Sequence, residues 1–316
     1  MVDFTQHTIN TPYMVGPVHC YTAQIGGESV LFDTGPPTEE GMAYLKEHVD
    51  LAGLQHVIVT HCHIDHYGLA VWLEERCDAE IYLPYRDSLK SNLHGERVHG
   101  MTRILKNLGF SEEYLGELQK VFNKGAILPP FPKKYKIAEE EIPDHLGVEV
   151  LPCPGHSQSD LVYLVDEYAI TGDTLLKGIF QSPLLDVDLK TGERFDNYGA
   201  YCKTIVKLAG LRGRTILPGH RHNVTGIEET LVFYLTKLLV RVEQLHQYLG
   251  EKNVMQLIDK LLHGRMKDVF HIYLKASEIV FMMDLLSKPE LLETALHESG
   301  LWPEVADLYV AAIVQQ

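Results

Sequence analysis

The sequence predicts an α/β protein, and three observations carry that prediction. Short apolar runs alternate with segments of helical period over the first quarter of the chain and again between residues 148 and 217. A cluster of histidine and aspartate follows directly on one of those runs, where sheet-plus-helix folds place their ligands. Beyond Gly226 the period is helical throughout.

Taken in order, residues 19–25 and 29–32 read as two strands joined at Gly26-Gly27, a hairpin signal. Asp33-Thr34-Gly35-Pro36-Pro37 ends the second strand, and a helix over 39–49 has Thr38 as its cap. A short buried strand over 57–60 leads into the histidine-rich loop, then a helix over 69–76 and a strand over 80–83. From about 84 to 146 the rhythm breaks. Val98, Met101, Ile104, Leu105 and Leu108 repeat at helical spacing with Gly109 as a stop. Tyr114, Leu115, Leu118, Val121 and Phe122 repeat again between Ser111 and Gly125, and the run Leu128-Pro129-Pro130-Phe131-Pro132 leads back to a strand at 148–151. This segment reads as an inserted helical pair, either an extra packing layer or a lid.

Strands over 161–165 and 169–171, a helix over 198–209 and a strand over 215–217 follow. Then Leu231, Leu235, Leu238, Val242, Leu245 and Leu249 step by fours and threes, and Val254, Leu257, Ile258, Leu261 and Leu262 form a second apolar face. Pro289 and Pro303 sit where helices can start. These stripes read as core. The expected division is a domain over 1–226, carrying the insertion at about 84–146, and a helical extension over 227–316.

The 316 residues suffice for one large domain with an appendage, and 45% hydrophobic with 22% charged residues is ordinary for a globular chain. The net charge of −15 disfavours a nucleic-acid partner. Five widely spaced cysteines, Cys20, Cys62, Cys77, Cys153 and Cys202, with no C-x-x-C, point away from disulfides and toward a cytoplasmic location. The first residues lack the pattern of a signal peptide, and no apolar run approaches the ~18 residues of a membrane span.

The chemistry concentrates in Thr60-His61-Cys62-His63-Ile64-Asp65-His66-Tyr67-Gly68, where three histidines and an aspartate lie within six residues. Neutral imidazole and carboxylate are the common ligands of divalent metals. Further candidates follow in Pro154-Gly155-His156-Ser157, Thr171-Gly172-Asp173-Thr174 and Pro218-Gly219-His220.

With the early Asp33-Thr34-Gly35 loop, these segments resemble the metallo-β-lactamase-like hydrolases, and among them the hydroxyacylglutathione hydrolase (glyoxalase II-like) branch. The match covers about residues 10–225. It implies a four-layer αβ/βα sandwich, here with an inserted helical pair and a C-terminal helical extension. It also implies two divalent metal ions, with zinc the first choice and iron or manganese suited to the same ligands. Carried over by position, His61, His63 and His156 hold the first ion, Asp65, His66 and His220 hold the second, and Asp173 bridges them. Asp65 is counted as catalytic as well as a ligand. Aspartate at 173 argues against a typical antibiotic hydrolase, where cysteine is frequent, and histidine at 63 argues against the oxygen-reducing diiron branch.

The implied reaction is attack by a hydroxide shared between cations roughly 3.5–4 Å apart. A thioester of the acyl-glutathione or acyl-CoA type is the expected substrate, since a thiolate leaves without a strong general acid. A lactone or another carboxylic ester is the alternative. In a different class stands a regulatory or binding protein that retains the metal site.

Cys62, alternating with His61 and His63, is expected to point into the core. His222 competes with His220, and the Pro-Gly-His context favours His220. His19 is either a hydrogen-bond donor behind the site or a packed histidine. Residues 86–136 carry ten basic and five acidic side chains, a balance of +5 against −20 elsewhere. That charge is either a solvated helix surface or the anchor of an anionic small-molecule substrate, with Arg97 and Arg103 as the candidates.

Overall fold

The computed structural model describes residues 2–13, 15–123, 130–251, 253–262 and 268–313. In chain order the elements are β1 (Phe4–Ile9), β2 (Val18–Ile25), β3 (Glu28–Phe32), α1 (Glu39–His48), β4 (Leu54–Ile58), α2 (Ile64–Tyr67), α3 (Ala70–Glu74) and β5 (Glu80–Leu83). Next come α4 (Tyr85–Asn92), α5 (His94–Asn107), α6 (Glu112–Asn123), β6 (Lys136–Ile137), α7 (Ala138–Glu141), β7 (Glu149–Pro152), β8 (Leu161–Val165) and β9 (Tyr168–Gly172). The chain continues through α8 (Asn197–Ala209), β10 (Thr215–Pro218), α9 (Ile227–Leu245), α10 (Val254–Leu262), α11 (Val269–Ser287), α12 (Pro289–Ser299) and α13 (Trp302–Ile313).

Two mixed sheets form. One has the order β1-β2-β3-β4-β5-β6, antiparallel from β1 to β3 and parallel onward. The other has the order β10-β9-β8-β7, with β10 parallel to β9 and the rest antiparallel. Side chains alternate across each strand, and this sorts the core into layers. Val30, Phe32, Ile58 and Tyr82 of the first sheet face Leu161, Tyr163, Val165 and Ile170 of the second. On the other side of the first sheet, Leu31, Val57 and Ile81 pack against Leu45 of α1 and Leu73 of α3. On the outer side of the second sheet, Val162, Leu164 and Ile216 pack with α8, α9 and the later helices. The result is the four-layer αβ/βα sandwich that the resemblance implies.

Local chemistry explains the predicted boundaries that hold. Gly26 and Gly27 both take positive φ, 61° and 87°, as a two-residue hairpin turn demands. Thr38 caps α1 by accepting the Gly41 N–H at 3.0 Å. Gly109 ends α5 in a left-handed conformation, and Pro289 opens α12.

Other boundaries move. β1 is an additional strand, antiparallel to β2 at the edge of the first sheet. β4 runs over Leu54–Ile58, not 57–60, because the Asp33 carboxylate takes the Thr60 N–H from a continuing ladder. Part of the histidine loop is the single turn α2, and the helix after it is only Ala70–Glu74. The insertion has more helices than the predicted pair, since α4 precedes α5 and α6 and the single turn α7 follows them among the described residues. α4 shows no apolar stripe because its inward face is polar: Asp87, Ser88 and Lys90 are buried there. Gly125, Leu128 and Pro129 fall outside the described residues.

The extension does not stand apart. α12 lies along α8, α13 lies along α9, and α11 touches α6, α8 and α9. Their apolar residues join those of α5, α6 and the second sheet in one cluster. Of the predicted α9 stripe only Leu249 is exposed, lying beyond a short turn at the helix end. Among the described residues no helix is long and apolar enough to cross a membrane.

Candidate metal centre

The first four candidate ligands hang from the end of β4, and Asp33 fixes their loop. With φ of 57°, Asp33 turns its carboxylate under the loop and accepts the Thr60 N–H at 2.8 Å and the Thr60 hydroxyl at 2.9 Å. Thr34 holds the next turn, donating its backbone N–H to His66 O at 2.6 Å while its hydroxyl accepts the Leu69 N–H at 3.0 Å. Cys62 points into the apolar layer, as its alternation predicts, and burial pushes its thiol pKa well up. His156 follows β7 on a loop that Asp160 braces by accepting the Ser157 N–H and hydroxyl, each at 2.7 Å. Asp173 and His220 follow β9 and β10. A Cβ on Gly219 would lie 2.6 Å from the His66 ring and 2.9 Å from Asp173 Oδ1, so only glycine lets His220 approach.

The structure brings all seven predicted ligands into two groups: His61, His63, His156 and Asp173 in one, Asp65, His66 and His220 in the other. In the second group His220 Nε2 lies 3.3 Å from both His66 Nε2 and Asp65 Oδ2, and Asp173 Oδ1 lies 3.3 and 3.5 Å from the two rings. Those separations match the edge of a tetrahedron, about 3.3 Å for ligand bonds of about 2.0–2.1 Å. In the first group His63 Nδ1 lies 2.8 Å from His61 Nε2 and 3.2 Å from His156 Nε2, with Asp173 Oδ2 3.9–4.0 Å from the latter two. Asp173 thus gives one oxygen to each group. Its Oδ1 is buried and makes no hydrogen bond of good geometry, as suits an atom reserved for a cation.

The far nitrogens of four rings are engaged, which sets which nitrogen faces inward. His66 Nδ1 meets Asp33 Oδ2, His156 Nδ1 meets Ser182 O and His220 Nδ1 meets Pro17 O, each at 2.7 Å. His61 Nδ1 lies 3.0 Å from the Thr60 hydroxyl. Burial, with His156 and Lys90 nearby, pushes His63 down to about 3, and burial likewise holds His61 well below its usual range. Both imidazoles are therefore neutral and able to bind metal. Burial works against charge on His66 too, yet Asp173, Asp33 and Asp65 raise its pKa well above the usual value, and Asp173 does the same to His220 in lesser degree. Burial opposes ionisation of Asp173, but His220 and His66 hold its pKa well down. In the second group three carboxylates therefore surround two rings, an excess of negative charge that a cation would neutralise. The donor set fits two divalent ions.

Above the ligands lies a cavity of about 450 Å³. Ile64, Leu176, Ile179, Phe180 and Leu184 form much of its wall, and α11 of the extension adds Phe270, Tyr273 and Leu274. The insertion reaches it through Lys90 and Arg97, but not as a free basic lid. Arg97 is tied to Asp186 through hydrogen bonds at 3.0, 3.1 and 3.3 Å, and Lys90 Nζ lies 2.7 Å from Asp87. Arg103 is turned outward, donating to Gly192 O and lying near Glu193. The anion anchor read into Arg97 and Arg103 fails because the first is neutralised and the second lies off the cavity.

Two open positions find their places. His19 is buried behind the site, its Nε2 2.7 Å from Arg221 O, so it props the turn that carries His220. His222 is exposed and stands outside both ligand groups. Asp87 and Asp160 brace the ligand loops, and nothing in the sequence marks either of them, since each is one acid among many.

Asp87 is buried and accepts the Cys62 N–H at 2.7 Å, pinning the loop between His61 and His63. Asp87→Ala strands that N–H and leaves the Lys90 ammonium with only Asp186 at 3.8 Å and Ser159 at 3.5 Å. The expected cost is about 3–5 kcal/mol of stability, together with a roughly 10–100-fold weaker first metal site. Denaturant unfolding and metal titration measure the two effects, and wild-type values in both would refute the assignment.

A profile of the Metallo-beta-lactamase superfamily matches residues 13–220. The "Probable metallo-hydrolase YqjP" of Bacillus subtilis (strain 168) is 23% identical, across 89% of this chain and 91% of its own. A metallo-beta-lactamase family protein from Thermus thermophilus superposes with a TM-score of 0.65 at 19% identity, over 91% of this chain and 94% of that one. A beta-lactamase domain protein from Burkholderia ambifaria reaches 0.72 at 18% identity, over 90% and 86%. At that coverage the likeness of fold extends beyond residues 13–220. With the profile spanning all seven candidate ligands and ending on the last of them, this chain belongs to the metallo-β-lactamase superfamily.

Proposed function

We propose that the protein is a dinuclear metal-dependent hydrolase of thioesters, with other carboxylic esters and lactones as the neighbouring class. One observation carries the reading: two ligand groups joined by Asp173 open onto the floor of a largely apolar cavity. Divalent cations held there lower the pKa of water toward about 7 and polarise a carbonyl. The residues of the chain do the rest. Asp65 and Asp173 supply the negative charge that holds the cations, and Asp33 keeps the His66 ring oriented. The apolar wall excludes water from the acyl group.

The choice of thioester rests on the leaving group. Among the described cavity-lining residues, Lys90 and Arg97 are bound by Asp87 and Asp186, and burial raises the Tyr13 phenol pKa further from neutrality. No group among them is poised to protonate a departing alkoxide. A thiolate, with a conjugate-acid pKa near about 8.5, leaves without such help. The water oxygen bonds to the acyl carbon, the carbon–sulfur bond breaks with its electron pair on sulfur, and the water protons pass to solvent or thiolate.

Protein purified without chelator is expected to carry close to two metal ions per chain by elemental analysis, one for each ligand group. Metal-replete protein is expected to turn over butyryl-CoA, S-butyryl-glutathione or a small neutral thioester faster than a lactone, and far faster than bis(p-nitrophenyl) phosphate. A reproducible single ion defeats the dinuclear reading. Preference for the phosphodiester defeats the acyl reading, and absence of all turnover favours a binding role.

A further inference from the structure

Three cations line the cavity: Lys90, Arg97 and Arg221. The first two are neutralised in place by Asp87 and Asp186. Arg221 forms no ion pair among the described residues, and its side chain is exposed. Its backbone is also set apart. With φ of 68°, Arg221 occupies the left-handed region that disfavours side chains with a Cβ. A strained non-glycine residue of this kind persists only where surrounding structure fixes it.

That structure is the β1–β2 hairpin. His19 N–H donates to Gly219 O at 2.7 Å, and His19 Nε2 meets Arg221 O at 2.7 Å. Thr8 Oγ1 and Gln6 Nε2 hold His19 Nδ1 from behind, at 3.0 and 3.2 Å. Gln6 is a donor there, so the ring proton sits on Nε2 and His19 donates to the Arg221 carbonyl. These polar groups thus maintain a turn that glycine would adopt unaided, and the turn carries a guanidinium at the cavity.

We propose that Arg221 is the specificity residue for an anionic substrate, gripping a phosphate or carboxylate on the leaving-group side while the acyl group packs against the apolar wall. This inference rests on the thioesterase reading and deepens it. The chain is acidic overall, at −15, so an anionic ligand needs a local cation at the entrance. A guanidinium serves both phosphate and carboxylate by paired hydrogen bonds. The exposed position keeps the charged part of the ligand in water, and the covered walls beside Leu176, Phe180 and Leu274 take the apolar part.

The test compares butyryl-CoA and S-butyryl-glutathione with the neutral S-butyryl-N-acetylcysteamine. All three present the same thioester and differ in the charge of the thiol. In Arg221→Gly, which removes the charge and relieves the backbone, the ratio of kcat/KM for an anionic thioester to that for the neutral one is expected to fall about tenfold. The change lies in KM. It grows in Arg221→Glu, is largely recovered in Arg221→Lys, and fades in about 1 M salt. A fall for butyryl-CoA alone identifies phosphate, and a fall for the glutathione ester identifies carboxylate. Metal content stays near two ions per chain in every variant.

An unchanged ratio in both the glycine and glutamate variants overturns the proposal. So does a loss of metal in Arg221→Gly, which would make the residue a support for His220. If the wild type cleaves none of the three, the thioesterase reading fails separately. Arg221 is then judged by calorimetric binding of the inert thioethers S-butyl-CoA and S-butyl-glutathione. Equal affinity in wild type and Arg221→Glu counts against it, and about tenfold weaker binding in the variant supports it.

Discussion

Asp173→Ala is expected to abolish the bridge between the two ligand groups and to lower turnover roughly a thousandfold, the equivalent of several kcal/mol of transition-state stabilisation. The first group loses a ligand and the second loses the Asp173 Oδ1 that lies 3.3 and 3.5 Å from its rings, so metal content should drop below two per chain. The fold should survive, because Asp173 lies beyond the end of β9 and removing it leaves the ladders intact. His66 also retains Asp33 at 2.7 Å. Asp65→Ala should be more selective, weakening the second group while His61, His63, His156 and Asp173 still hold one ion. Elemental analysis beside steady-state kinetics separates the two variants. Wild-type turnover at wild-type occupancy in Asp173→Ala would place the chemistry elsewhere.

Residues 1–226 expressed alone are expected to remain unfolded. The sequence invites a division at 226 because the rhythm changes there, yet the apolar cluster runs through that point. Leu231, Leu235, Leu238, Leu239 and Val242 of α9 are each at most 1% exposed. At about 2 kcal/mol for each such side chain, α9 alone contributes about 10 kcal/mol, comparable to the whole net stability of a typical domain. Deletion would uncover the outer face of the second sheet and remove Phe270, Tyr273 and Leu274 from the cavity wall. Circular dichroism and thermal melting of the truncated chain check this. A cooperative transition with intact tertiary signal would show that the sandwich folds without its extension.

The clustering of the candidate ligands was legible because metal chemistry restricts residue type and spacing together. His61, His63, Asp65 and His66 lie on one short loop, and glycine directly precedes His156, Asp173 and His220. The strands were legible where both faces are apolar, as in β8. They were not legible where the pattern is broken by a buried polar residue: β4 includes His56, which is buried against Glu28 at 2.5 Å. α4 stayed hidden for the same reason, because Asp87 and Lys90 satisfy one another inside. The insertion's excess of positive charge was countable, but its pairing was not. Asp186, which cancels Arg97, lies far along the chain and outside any local pattern.

His61, His63, Asp65 and His66 hang from the first sheet, and Asp173 and His220 from the second, with His156 between β7 and β8. Ions held at the centre would therefore cross-link the two halves of the sandwich, and would find these ligands gathered only in the folded chain. By mass action a ligand of the native state adds RT ln(1 + [L]/Kd), about 4 kcal/mol per ion when free metal stands roughly a thousandfold above Kd. The candidate ligands would thus couple the folding equilibrium to the free metal concentration, and a chelator would lower the stability of this protein together with its turnover.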